Sequence, residues 1–266
     1  MTPLKDVPAS MLAGLKAILT DIDDTLTTNG RLPPESYRAL YDLRAAGLIV
    51  VPITGRPAGW CDMIARQWPV DGVVGENGAL YFRYLDGERK MQRVYAQPDE
   101  IRAANNLKLM EIAARILRRF PGTALASDQA YREIDVAIDF REDVPPLARG
   151  VAQEIAAAFE HEGAVAKVSS IHVNAWFGEH DKLTMSRRML ADEFAIDAAK
   201  QLDAIAYCGD SPNDAPMFAY FPASFGVANI RPFAKMMPHL PAYVTAAEGG
   251  SGFAEFAAAV LSAKSK

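Results

Sequence analysis

Leu15-Lys16-Ala17-Ile18-Leu19-Thr20-Asp21-Ile22-Asp23-Asp24-Thr25 begins as a short, mostly apolar run and ends in a cluster of acids. Such a run reads as a buried strand whose carboxyl end is polar. In an extended chain residues two apart point the same way, so Asp21 and Asp23 face one spot while Ile22 points back into the core. Two carboxylates held together call for a cation, or for one of them to keep its proton. A turn rich in Asp and Thr has the same composition, so this segment alone leaves both readings open.

Working outward, Pro33-Pro34 opens a segment with Tyr37, Leu40, Tyr41 and Arg44 at helical spacing, and Gly47 closes it before Leu48-Ile49-Val50-Val51. The order is strand, helix, strand. It repeats: Ala58 to Trp68 reads as a helix, Gly72-Val73-Val74 as a strand, and Ile205-Ala206-Tyr207-Cys208 precedes a helix near Asn213 to Phe221. This alternation predicts an α/β fold, a parallel sheet with covering helices that takes its ligands at the carboxyl ends of the strands. The middle of the chain differs. Ile134, Val136, Ile138 and Phe140 alternate with polar or small residues, the two-residue period of a half-exposed antiparallel strand. Amphipathic helices carrying Leu109, Ile112, Ile116 and Phe120, and Leu147, Val151, Ile155 and Phe159, flank it, and a second pair of strands follows near Val165 to Phe177. The expectation is an α+β domain at 86–179 inserted into a core made of 1–85 and 180–266.

Composition narrows the function. A chain of 266 residues suits one large or two modest domains, and 50% hydrophobic with 23% charged residues is ordinary soluble usage. The formal charge is 28 − 33 = −5 with no long basic run, so neither nucleic acid nor an anionic membrane surface is an expected partner. Cys61 and Cys208 form no CxxC spacing, which excludes a zinc site or disulfide framework of the usual pattern and fits a reducing cytoplasm. No signal peptide or membrane span is expected, since no long uncharged run occurs. His161, His180 and His239 show no ligand spacing and read as surface residues.

Three further elements bear on the acid pair. Leu48 to Ile53 ends in Thr54-Gly55-Arg56, which puts a hydroxyl and free backbone N–H groups at a second strand end. Ile205 to Cys208 ends in Gly209-Asp210-Ser211-Pro212-Asn213-Asp214, where two carboxylates lie four apart around an Asn at the entry to a helix. Lys182 follows Asp181 at a helix start, where a cation meets the positive end of the macrodipole. Each has an ordinary structural reading: a turn, an N-cap with spare acids, a surface lysine.

In order, however, Asp-x-Asp-x-Thr, Thr-Gly-Arg, Lys and Gly-Asp-x-x-Asn-Asp resemble the four motifs of haloacid dehalogenase-superfamily phosphatases. The Cof-type subfamily, with a large α/β cap inserted between the Thr and Lys motifs, is the nearest pattern. The resemblance covers Leu15 to about Phe82 and Lys182 to Val227 and implies a Rossmann-like core. It implies Asp21 as nucleophile and Asp23 as general acid/base, with Thr54, Gly55 and Lys182 on the phosphoryl oxygens. It further implies Mg²⁺ held by Asp21, Asp210 and the backbone carbonyl of Asp23, braced by Asn213 and Asp214. Asp21, Asp23 and Asp210 give −3, and Mg²⁺ with Lys182 gives +3, so such a site is near neutral when empty of substrate. Arg56 is read as structural.

Substrate identity does not transfer with the motifs. Along Ser170-Ile171-His172-Val173-Asn174-Ala175-Trp176, the residues Ser170, His172, Asn174 and Trp176 share one strand face, and Ile171, Val173 and Ala175 the other. The polar face is expected to look outward, and in Cof-type proteins that sheet roofs the site, which makes these four candidate substrate contacts. Asn77, in Gly75-Glu76-Asn77-Gly78, either reaches the site or occupies a turn position with positive φ. The expected activity is Mg²⁺-dependent hydrolysis of a small phosphorylated metabolite, foremost a sugar phosphate, by a cytoplasmic monomer or homodimer. The rivals are a phosphomutase or phosphotransferase of the same superfamily and a non-catalytic phosphate-binding module.

Overall fold

A computed structural model of the chain describes residues 1–169 and 171–265. The first part runs β1 (Thr2–Pro3), α1 (Ala9–Ala13), β2 (Ala17–Thr20), α2 (Pro34–Ala45), β3 (Ile49–Pro52), α3 (Ala58–Gln67), β4 (Val73–Gly75), β5 (Leu80–Leu85) and β6 (Lys90–Tyr95). The middle holds α4 (Asp99–Arg119), β7 (Ala124–Leu125), β8 (Val136–Asp139), α5 (Arg149–His161), β9 (Val165–Val168) and β10 (His172–Trp176). The last part is α6 (Lys182–Phe194), β11 (Ile205–Gly209), α7 (Ala215–Tyr220), β12 (Ala223–Gly226), β13 (Tyr243–Val244) and α8 (Gly249–Lys264).

Both ends of the chain build one parallel sheet in the order β1-β13-β12-β11-β2-β3, the α/β core read from the alternating pattern. Successive residues of β2 serve opposite faces: Ile18 packs with Leu40, Phe253 and Phe256, whereas Ala17 and Leu19 pack with Met189, Tyr207 and Phe218. Burial on both faces explains why β2 reads as a continuous apolar run. The register decides the rest. Thr20 lies opposite Cys208 on one side and Pro52 on the other, so β2, β11 and β3 end level and release Asp21, Asp210 and Thr54 at one edge.

A second sheet, β7-β8-β10-β9, is antiparallel and packs its apolar face on α4 and α5. Val136, Ile138, Val173 and Ala175 from the strands meet Leu109, Ile112, Ile116, Ile155 and Phe159 from the helices, the set expected from the sequence periods. A third sheet, β4-β5-β6, continues the edge of the core through an Ile53–Val74 bridge. Strand β6, within the span expected for the insertion, pairs with β5 from Leu80–Tyr95 to Leu85–Lys90, so the passage to the four-stranded module comes after Tyr95.

Candidate active site

At the level edge of the core, Asp21, Asp210 and Asp214 bring carboxylate oxygens within 4.8 Å of one another, all buried. Lys182 reaches this cluster from the first turn of α6, whose N-cap Asp181 accepts the Thr184 N–H at 2.6 Å. Its Nζ donates to Asp21 Oδ1 at 2.6 Å and to Asp214 Oδ1 at 2.9 Å. Gly78, at φ +98°, lets the loop after β4 pass against this helix start; a Cβ there would fall on the Asp181 carbonyl.

The cluster has too little positive charge. Burial pushes the Asp21 carboxyl up to about 8 despite the Lys182 ammonium beside it, and Asp214 and Asp23 add to the rise. Asp210 is also pushed well above the carboxylate range, by burial and then by Asp21 and Asp214. Lys182 is raised because Asp21 and Asp214 outweigh its own burial. A divalent cation would supply the missing charge. The donor set also says where it fits. Asp214 is fully engaged: Oδ1 takes Lys182 and the Tyr207 hydroxyl, and Oδ2 takes the N–H groups of Asp210 and Ser211. Asp214 is therefore a brace. Asp210, which accepts from Thr25 Oγ1 and Asn229 Nδ2, and Asp21, with one bond to Lys182, keep lone pairs for a hard cation.

Asp23 stands beside this cluster with a different partner. Arg56 holds both its oxygens, Nε at 3.0 Å to each and Nη2 at 2.9 Å to Oδ1, and extends to Glu142 after β8, Nη2 to Oε1 at 2.8 Å. Glu142 Oε2 in turn lies 3.0 Å from His172 Nε2. Although burial opposes it, His172 and Arg56 bring the Glu142 carboxyl down to about 2. Arg56 thus links Asp23 of the core to Glu142 of the four-stranded module, a contact that its reading as a structural residue does not include.

Between the two sheets lies a small cavity of about 30 Å³, with Asp21, Asp23, Gly55 and Asn213 below and Ser169, His172 and Asn174 above. It has room for water but not for a metabolite, whose pockets measure roughly 300–1,000 Å³. Thr54 sits one residue behind Gly55, fully buried, and its hydroxyl accepts the Arg56 N–H at 3.0 Å. Asn77 borders the cavity and holds φ at 56°.

The outward-facing expectation for the roof needs correction. His172, Asn174 and Trp176 are all buried, because their face lies on the core rather than in solvent. Asn174 Nδ2 donates to Asp135 Oδ2 at 2.9 Å. Trp176 does not join His172 and Asn174 at the cavity between the sheets; it borders a neighbouring cavity of about 40 Å³ with Asn77, Lys182 and Asn213. Ser170 lies outside the described residues. His180, read as a surface residue, is buried with its ring stacked on Trp176 at 5.6 Å, and burial lowers its pKa to about 4.

The sequence reading also missed a buried polar junction. Glu76 accepts four backbone N–H groups, from Ala58 at the start of α3 and from Glu133, Ile134 and Asp135 ahead of β8, at 2.7–2.9 Å. Arg132 adds bonds to the Gly55 carbonyl and to Asp135. The charged stretch Arg132-Glu133 just ahead of an alternating strand was the available signal, but its partners lie far away in sequence.

Comparison with known proteins agrees with this architecture. Residues 18–113 match the family model of haloacid dehalogenase-like hydrolases. A protein of Thermoplasma acidophilum superposes with a TM-score of 0.69 at 18% identity, covering 93% of this chain and 99% of its own. A haloalkanoate-superfamily phosphatase of Bacteroides thetaiotaomicron gives 0.62 at 18%, covering 95% and 96%. The sucrose-phosphatase of Synechocystis sp. PCC6803, in complex with sucrose and phosphate, gives 0.61 at 15%, covering 92% and 97%. No curated protein matches in sequence. The resemblance read from the motifs agrees with these findings: residues 18–113 match the haloacid dehalogenase-like hydrolase model, and the chain as a whole carries the fold of those structures. Among the described residues no helix is long and apolar enough to cross a membrane.

Proposed function

We propose that the chain is a phosphomonoesterase for a small phosphorylated metabolite, with sugar phosphates as the first class to test. The observation that carries this reading is Lys182 Nζ at 2.6 Å from Asp21, inside a buried cluster of the carboxylates of Asp21, Asp210 and Asp214. Phosphate-ester neighbours such as the sucrose-phosphatase support it. In this reading Asp21 attacks phosphorus and Asp23 delivers a proton to the departing ester oxygen, leaving a phosphoryl group on the Asp21 carboxylate. Asp23 then takes a proton from water, whose oxygen attacks phosphorus, and the phosphorus bond to Asp21 breaks to release inorganic phosphate. Lys182 holds a phosphoryl oxygen, aided by the Thr54 hydroxyl and the Gly55 N–H, while Asn213 and Asp214 keep the shell in place. The carboxylates of Asp21 and Asp210, with the Asp23 carbonyl, would hold Mg²⁺, which would supply positive charge to the phosphoryl group. The module over 86–179 serves as the cap over the cavity that holds Asp21 and Asp23. Phosphate release from p-nitrophenyl phosphate with Mg²⁺ and no added acceptor tests the reading against a mutase or a binding module.

Two variants test the assignments. Asp23→Asn is expected to slow alkyl phosphates far more than p-nitrophenyl phosphate, whose leaving group departs without a proton. Equal losses in kcat/KM on both, the quantity that reports departure of the leaving group rather than the shared hydrolysis of the intermediate, would remove Asp23 from the acid role. His172→Ala is expected to lower kcat/KM on the best substrate by about 10-fold or more relative to p-nitrophenyl phosphate, the size of one lost buried hydrogen bond of about 1–3 kcal/mol. Parallel losses would leave His172 as a partner of Glu142 only.

A further inference from the structure

A broader depression of about 450 Å³ leads from solvent to Asp23, bordered by Asp24, Arg56, Arg141, Glu142 and Ile171. Arg56 is committed here to Asp23 and Glu142. Arg141, half-buried as a residue, is not: among the described residues its guanidinium makes no hydrogen bond or ion pair. Its backbone is nevertheless fixed. Asp139, at the end of β8, accepts the N–H groups of Arg141, Glu142 and Asp143, each at 2.8 Å, which sets the turn that carries Arg141 over this entrance.

A guanidinium offers five donors in a rigid fork and matches planar or tetrahedral anions. The path of a substrate then follows from the core. With the phosphoryl group at Asp21 and Lys182 and the ester oxygen toward Asp23, the alcohol portion extends past Asp23 into this depression, toward Arg141. A neutral polyol would leave that cation unpaired. We propose that Arg141 selects phosphomonoesters whose alcohol portion carries a second anionic group, a carboxylate or a further phosphate. This inference rests on the phosphomonoesterase reading and narrows its substrate class.

The test compares matched pairs with Mg²⁺: 2-phosphoglycolate against ethyl phosphate for a carboxylate, and glucose 1,6-bisphosphate against glucose 1-phosphate for a phosphate. The wild-type enzyme is expected to favour the anionic member in at least one pair, which names the anion. Arg141→Met should lower that kcat/KM ratio by roughly 10–100-fold, the range for a charge-assisted bond, and Arg141→Lys should keep part of it. A ratio is independent of the folded fraction, so a poorly folding variant still reports. No preference in either pair, or the same ratio in wild type and Arg141→Met, overturns the proposal. Absence of turnover on p-nitrophenyl phosphate by the wild type overturns the phosphomonoesterase reading instead.

Discussion

Asp21→Asn is expected to reduce phosphate release to background, a loss of roughly a thousandfold or more. The amide keeps the shape of the side chain and a contact with Lys182, but it offers no anionic oxygen to attack phosphorus and takes one negative charge from the cation site. Stability should move the other way. The Asp21 carboxyl is raised from 3.8 to about 8 in the fold, so its contribution to stability is complete below pH 3.8 and declines as pH rises toward 8. At neutral pH without Mg²⁺ a neutral isostere relieves that cost, and the variant should melt no lower than wild type. Activity above a few per cent in a well-folded preparation would remove Asp21 from the nucleophile role.

Lys182→Met is expected to damage both activity and fold. Removing the ammonium leaves Asp21, Asp210 and Asp214 buried together without a cation, and breaking one partner of a buried pair costs about 3–5 kcal/mol. Urea unfolding should show this loss at neutral pH. Lowering the pH protonates Asp21 and Asp210, whose carboxyls burial holds above the usual range, so the gap from wild type should narrow in mild acid. Saturating Mg²⁺ should also narrow it, since binding to the folded state alone stabilises by mass action. A variant as stable as wild type at pH 8 without metal would show that Lys182 does not offset the carboxylate charge.

The core was legible because its signals are local. Ala17–Thr20, Ile49–Pro52 and Ile205–Gly209 are apolar runs buried on both faces, and the acid or Thr-Gly motif after each marks its end. The parallel register then carries those motifs to one edge without further information. The roof was legible only in its period. Alternation placed Val173 and Ala175 on the apolar side, yet it could not say that the opposite side is closed by the core rather than by water. Arg56, Glu142, Glu76 and Asp135 escaped for a related reason. The contacts that tie them across the two sheets span 57 to 86 residues, and only the docking of the sheets brings these groups together.

The most direct measurement is mass spectrometry of the acid-quenched enzyme during turnover of p-nitrophenyl phosphate with Mg²⁺, using Asp23→Asn to slow hydrolysis of the intermediate. The expected result is one phosphoryl group on the peptide that contains Asp21, present with substrate, absent without it and absent from Asp21→Asn. Phosphate release at an undiminished rate by Asp21→Asn, or a phosphoryl group on a different residue during wild-type turnover, would contradict the account.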